Sequence, residues 1–254
     1  MQPVLFYAAG RAIRTEGVLY VVATIVTGLY AYRTARRHGA DTRLVIPGLA
    51  IVVAAAYLGA RLHASLNHWL ASPTESLTPV QSAADVSFFG GLVFGVLALV
   101  AFIKWNGLPL GAALDSIAPV GPVIYALFRL GCLLNGDDYG VPTSMPWGMA
   151  FPEGVPPTPE RVHPVQLYEI ALMVPIALWA RRRTTTQLPP GALTFEVFVL
   201  MGLERLLVDF YRPSFETFAG FSGSQWLAIG LALVGVIGRI AATQKDVRPP
   251  ALPS

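Results

Sequence analysis

Apolar runs long enough to cross a bilayer recur along the whole chain, which excludes an ordinary soluble fold. They fall at roughly 16–33, 44–63, 86–103, 110–133, 164–180, 191–211 and 222–240, and about 20 mostly apolar residues suffice to span a hydrocarbon core. The third and seventh regions contain the uncharged stretches VSFFGGLVFGVLALVAFI and TFAGFSGSQWLAIGLALVGVIG, whereas the fourth and sixth runs are interrupted by charge. Charged residues make up 13% of the 254, about half the ~25% typical of soluble domains. The 24 glycines and 21 prolines follow no collagen period, and many lie inside apolar stretches, as membrane helices tolerate. The sequence predicts an all-α integral membrane protein with seven transmembrane helices, forming one membrane domain over residues 1–254. The first run lacks a short basic flank and a cleavage pattern, so it is expected to be retained. With the single cysteine Cys132, an intramolecular disulfide and a cysteine-based zinc cluster are excluded. No charged tail points to nucleic acid.

The charges between the runs set an orientation. Arg33, Arg36, Arg37, Arg43, Lys104, Arg181, Arg182, Arg183, Arg239, Lys245 and Arg248 occupy alternate connections and the C-terminal tail, 11 of the 18 basic residues. The other side holds Arg11, Arg14, Arg161 and Arg212. Cytoplasmic loops concentrate Lys and Arg. The N-terminus is therefore expected outside and the C-terminus in the cytoplasm. A periplasmic loop or lobe is expected over 134–163, between the fourth and fifth helices.

Arg61, Arg129 and Arg205 lie within the runs. A charge at that depth is costly and is a functional candidate by default. Arg61, near an outer end, is equally open to snorkelling or structural pairing. Arg129 and Arg205 have polar company. Laid side by side in this orientation, most polar side chains of the runs sort to the outer half, as a polar cavity opening to the outer leaflet or periplasmic surface would require.

Spacing refines this. Arg205, Asp209 and Arg212 stand at i, i+4 and i+7, one helical face. An acid between two bases can hold both guanidinium groups for planar, bidentate grip of a phosphate, or the three can form a ladder that merely satisfies buried charge. His163, Gln166 and Glu169 follow at i, i+3 and i+6, open to a binding role or to helix capping. A metal-ligand role for His163 is disfavoured, since no second His or carboxylate stands at ligand spacing. The Asp137-Asp138 pair is a weak cation signal without a third oxygen ligand. Cys132 reads as packing. No metal or dissociable cofactor is expected.

Three segments carry a family resemblance. FRLGCLLNGDDYG at 128–140 is similar to the "GR-x-GNF-x-NGE-x-x-G" segment of the prolipoprotein diacylglyceryl transferase family, RVHPVQLYE at 161–169 to its "R-HP-x-QLYE" element, and LERLLVDFYRP at 203–213 to its "FR-x-x-VE-F-R-x-P" helix. GVLY at 17–20 and FGGL at 89–92 resemble its first- and third-helix elements. The resemblance implies transfer of diacylglycerol from phosphatidylglycerol to the lipobox cysteine in the signal peptide of a preprolipoprotein, forming a thioether. It implies catalytic roles for Arg129, Arg205 and Asp137, the last standing where the family has Glu. It implies substrate-binding roles for Asn135, Gly140, His163, Gln166, Tyr168, Glu169, Asp209 and Arg212; Arg61, outside these segments, is a substrate-binding candidate only as a charge within a run.

This chain departs from the pattern. Phe89 replaces a His that has been proposed as a base, Glu16 a Tyr, Cys132 an Asn and Met201 a Tyr. Thiol activation then falls to Glu16, if burial raises its pKa, or to Arg129 acting with water. Otherwise the chain is a non-catalytic or re-purposed phospholipid- or lipoprotein-binding paralogue. A transporter is a third reading. It would need ionisable groups through the bilayer depth and internal repeats, and the sequence displays neither.

Overall fold

The computed structural model describes residues 4–8, 11–37, 39–71, 87–213 and 217–247. The side chains of Glu16 and Phe89 lie outside those described, although both residues sit in helices. In chain order the elements are β1 (Val4–Ala8), β2 (Arg11–Arg14), α1 (Thr15–Arg37), α2 (Val45–Ala71), α3 (Phe88–Trp105), α4 (Leu110–Ile117), α5 (Val120–Asn135), β3 (Met149–Phe151), β4 (Thr158–Val162), α6 (Val165–Arg183), α7 (Ala192–Asp209), β5 (Thr217–Phe218), β6 (Phe221–Ser222) and α8 (Gly223–Val247). The strands form three antiparallel pairs, β1–β2, β3–β4 and β5–β6.

Among the described residues, Gly17–Arg37, Thr42–Leu70 and Gly223–Gln244 are long and apolar enough to cross a membrane. The pair α4 and α5 makes a fourth if counted as one span. Large apolar side chains such as Val21, Ile25, Leu58, Leu97, Leu227 and Ile237 point outward, as they do in a helical protein whose solvent is lipid. This is a predominantly α-helical membrane protein.

The run expected as one helix over 110–133 is two, bent by 43°. Pro119 and Pro122 supply no backbone N–H to a continuous ladder, so α5 starts afresh at Val120 after Pro119. Between 134 and 163 the chain contains the β3–β4 hairpin, whose Met149 pairs with Val162 and Phe151 with Thr158.

The chain folds as two compact units, Met1–Tyr30 with Leu114–Ser254, and Ala31–Ala113. In the latter, α2 and α3 meet backbone to backbone. A Cβ on Gly90 would run into the Gly59 carbonyl oxygen, and one on Gly59 would sit 2.6 Å from the Gly90 oxygen. Small residues permit this approach where lipid removes the usual hydrophobic drive for helix pairing.

In the other unit, α6 and α7 pack side by side, and Ala180, Leu193 and Val197 form a buried cluster backed by Trp179 and Met201. The start of α7 is capped from another helix. The Asp115 carboxylate accepts from the N–H groups of Gly191 and Thr194, both at 2.7 Å. A carboxylate there satisfies orphan donors and suits the positive helix end. This fixes the start of the helix whose other end carries Arg205 and Asp209.

Candidate active site

Three helices of the larger unit bring charge to one place. Arg129 lies in the penultimate turn of α5, Glu169 in the second turn of α6, and Arg205 and Asp209 in the last turns of α7. Arg129 is 2% exposed and Glu169 fully buried. Burying either alone would cost several kcal/mol, so each needs partners.

Glu169 is the hub. Its Oε1 accepts from Arg205 Nη1 at 2.9 Å and from the Tyr125 hydroxyl at 2.8 Å. Arg212 Nη2 donates to both oxygens, at 3.0 and 3.2 Å. Arg129 Nε forms an ion pair with Oε2. One carboxylate thus holds three guanidinium groups.

Two further acids complete the set. Asp138 accepts from Arg129 Nη1 at 2.6 Å and Arg212 Nη1 at 2.5 Å. Asp209 pairs with Arg205 Nη2 at 3.1 Å and, more loosely, Arg212 Nε at 3.9 Å. The Ser222 and Ser224 hydroxyls donate to the other Asp209 oxygen at 2.6 and 2.7 Å. Three bases therefore face three acids. Asp138 adopts a left-handed backbone (φ 58°), uncommon for any residue but Gly, Asn or Asp. Burial alone would push its carboxyl up; Arg129 first and then Arg212 outweigh that and hold it below the usual carboxylate range.

Beside this cluster is a cavity of about 220 Å³ lined by Leu19, Tyr20, Leu127, Phe128, Gly131, Cys132, Asp137 and Asp138. Arg129 Nη1 reaches two of its lining residues, Asp138 and, at 3.6 Å, the Cys132 sulfur. Arg129 Nη2 and Arg212 Nε are buried and without hydrogen-bond partners among the described residues. The cluster therefore retains donor capacity for an anion.

The sequence candidates separate into several groups. Arg129, Arg205, Arg212, Glu169 and Asp209 converge. Asp137 lines the cavity, but the carboxylate on the arginines is its neighbour Asp138. Asp137 Oδ2 instead accepts from Asn135 Nδ2 at 2.5 Å, and its carbonyl accepts from Gln166 Nε2 at 2.6 Å. Asn135 and Gln166 thus shape the turn after α5. Gly140 sits where a Cβ would collide with the Tyr211 carbonyl oxygen and lie 2.8 Å from His163 Cβ, so only glycine lets the three segments meet. His163 and Tyr168 form an aromatic group beside Tyr211. Here His163 Nδ1 and the Tyr168 hydroxyl are 2.9 Å apart, Trp147 donates to that hydroxyl at 2.7 Å, and the His163 and Tyr211 ring centroids are 4.9 Å apart. Arg61 lies on α2, in the other unit. Glu16 lies on α1, its side chain outside those described. Among the described residues no group of three His, Cys, Asp or Glu side chains could hold a metal ion.

Sequence reasoning did not single out Tyr125 or Asp138 as site residues. It also passed over Glu204, buried on α7 with no hydrogen bond to either carboxylate oxygen among the described residues. Its position beside Arg205 within an apolar run was the available signal.

A helical membrane protein with a charge-balanced arginine cluster beside a cavity defines a class able to handle anionic groups. Comparison with known proteins narrows the class. The prolipoprotein diacylglyceryl transferase family matches residues 3–241, and the chain belongs to that family. It is 31% identical to the phosphatidylglycerol–prolipoprotein diacylglyceryl transferase of Geobacter sulfurreducens over 262 aligned positions, covering 98% of each chain. The same-named protein of Rhizobium meliloti is 31% identical, covering 92% of this chain and 87% of the relative. That of Bordetella avium is 29% identical, covering 98% and 97%.

Proposed function

We propose that this chain is a diacylglyceryl transferase that moves the diacylglyceryl group of phosphatidylglycerol onto the lipobox cysteine of a prolipoprotein. The observation that carries this reading is the convergence of Arg129, Arg205 and Arg212 on Glu169, beside a cavity. The thiol sulfur bonds to the glycerol carbon bearing the phosphate. The carbon–oxygen bond breaks, and glycerol phosphate leaves with the bonding pair. The phosphodiester monoanion thereby becomes a monoester that gains negative charge. Preorganised guanidinium groups stabilise that developing charge. Arg129 Nη2 and Arg212 Nε offer donors to the phosphate without stripping the arginines from Glu169. Asn135, Gly140 and Gln166 set the turn that brings Asp137 and Asp138 to the cavity, and His163 and Tyr168 flank the end of α7.

The thiol proton needs an acceptor, because a free thiol of pKa ~8.5 is only a few per cent thiolate at neutral pH. Glu16 takes that role in this reading, in place of the family His where Phe89 stands, and Asp137 is the second acidic group facing the reaction.

The same reading places seven spans in a bacterial inner membrane, with the N-terminus and the β3–β4 lobe outside and the C-terminus in the cytoplasm. Its support is the basic-residue asymmetry of the connections. Complementation tests the function. In a strain depleted of its own diacylglyceryl transferase, expression of this chain restores the gel shift of a processed lipoprotein. Absence of the shift, with the chain present in the membrane, points instead to a non-catalytic lipid- or lipoprotein-binding role.

A further inference from the structure

At the opposite end of α7 from the arginine cluster, a second groove opens between α6, α7 and α8. It has a volume of about 590 Å³ and is walled by Pro175, Ile176, Trp179, Val199, Val236 and Ile240, with Glu196 and Arg239 as its polar members. That volume is within the roughly 300–1,000 Å³ of small-molecule sites. Glu196 precedes Arg205 by nine residues, about 14 Å along a helix at 1.5 Å per residue. The groove is thus separate from the cluster.

Its polar end has an excess of positive charge. Glu196 accepts from Arg183 Nε and Nη2 at 3.0–3.2 Å and from Arg239 Nε at 2.8 Å. Two guanidinium groups share one carboxylate, leaving a surplus charge that the exposed Arg181 and Arg182 enlarge. Arg183 also lies over the Trp179 ring, 5.9 Å from its centroid, which fixes the guanidinium at the groove's rim. Both arginines remain partly exposed, at 33% and 30%; Arg239 Nη1 donates to the Thr243 hydroxyl, and among the described residues Arg183 Nη1 and Arg239 Nη2 stand outside these hydrogen bonds.

An apolar channel on membrane helices, closed at one end by surplus guanidinium charge, matches one ligand chemistry: an acyl chain joined to an anionic head group. Basic pockets between membrane helices bind such lipids. We propose that this groove holds an anionic phospholipid, distinct from the reacting one, with its phosphate on Arg183 and Arg239 and an acyl chain between α6, α7 and α8. The assignment stands apart from the transferase reaction.

The test is native mass spectrometry of the purified, delipidated full chain, titrated with phosphatidic acid or with phosphatidylcholine of the same acyl chains. Wild type is expected to retain two equivalents of phosphatidic acid. Arg205→Ala loses the equivalent at the cluster and reports on that site alone. Arg183→Gln with Arg239→Gln weakens the other equivalent roughly 30-fold. Ile176→Trp fills the groove with both arginines in place and loses that same equivalent, which separates lipid binding from any effect on helix packing. Retention of both equivalents by the double variant or by Ile176→Trp overturns the proposal. So does equal binding of phosphatidylcholine, or displacement by equimolar inorganic phosphate, which marks a free-anion site.

Discussion

The two ends of α7 use the same side chains in different proportions. At one end Arg129, Arg205 and Arg212 meet Glu169, Asp138 and Asp209, three bases on three acids. At the other, Glu196 is the one acid that Arg183 and Arg239 meet among the described residues. The first arrangement is balanced and centred on the buried Arg129 and Glu169. Its arginines are held by carboxylates that neutralise them, which makes the geometry rigid and leaves only selected donors for a ligand. The second is half-open and carries surplus charge, which suits attraction of an anion from outside. Burial decides the difference: an uncompensated charge is tolerable near a helix end but not at 2% exposure.

The largest effect that comparison predicts is at Glu169. Glu169→Gln leaves three guanidinium groups without their shared anion, where breaking a buried pair costs about 3–5 kcal/mol. Thermal unfolding in detergent should show this drop, together with loss of transferase activity. Glu196→Gln, at the half-open end, should shift unfolding far less, by about 1 kcal/mol or under. Equal losses at the two ends would break the contrast.

Arg205→Lys keeps the charge but not the fork that spans Glu169 and Asp209, so activity should fall roughly 10²–10³-fold, as for loss of one preorganised donor. Gly140→Ala should cost about 1–3 kcal/mol, because overpacking against the Tyr211 carbonyl forces backbone shifts; equilibrium unfolding measures it.

The smallest effect is pH dependence at Asp138, whose side chain is 48% exposed. Its carboxyl is held below its ordinary value of 3.8. The stability it contributes is therefore present above about pH 4 and lost as pH falls through the lower folded value. Asp138→Asn should flatten that part of the Tm profile below pH 4, whereas an unchanged profile would remove Asp138 from the cluster.

Hydropathy anticipated the helices well: each of the seven apolar runs corresponds to helical structure, because lipid exposure and backbone satisfaction both demand it. The i, i+4, i+7 face of Arg205, Asp209 and Arg212 was equally legible, since helical spacing is local. What escaped was set by tight turns and tertiary pairing. Gly136 (φ 73°) and Asp138 (φ 58°) turn the chain so that Asp138, not Asp137, reaches the arginines, and a one-residue choice in such a turn has no periodic signature. Glu169 was legible as a site residue through the QLYE resemblance, but its role as hub depends on α5, α6 and α7 meeting. The break in the fourth run at Pro119 was hidden because membrane helices often accommodate proline.

The most direct test is mass spectrometry of a lipobox peptide incubated with the purified chain in phosphatidylglycerol vesicles. The account predicts a diacylglyceryl thioether on the peptide cysteine with wild type, and its near absence with Arg129→Ala and with Arg205→Ala. No adduct from folded wild-type protein, or full yield from both arginine variants, would contradict it.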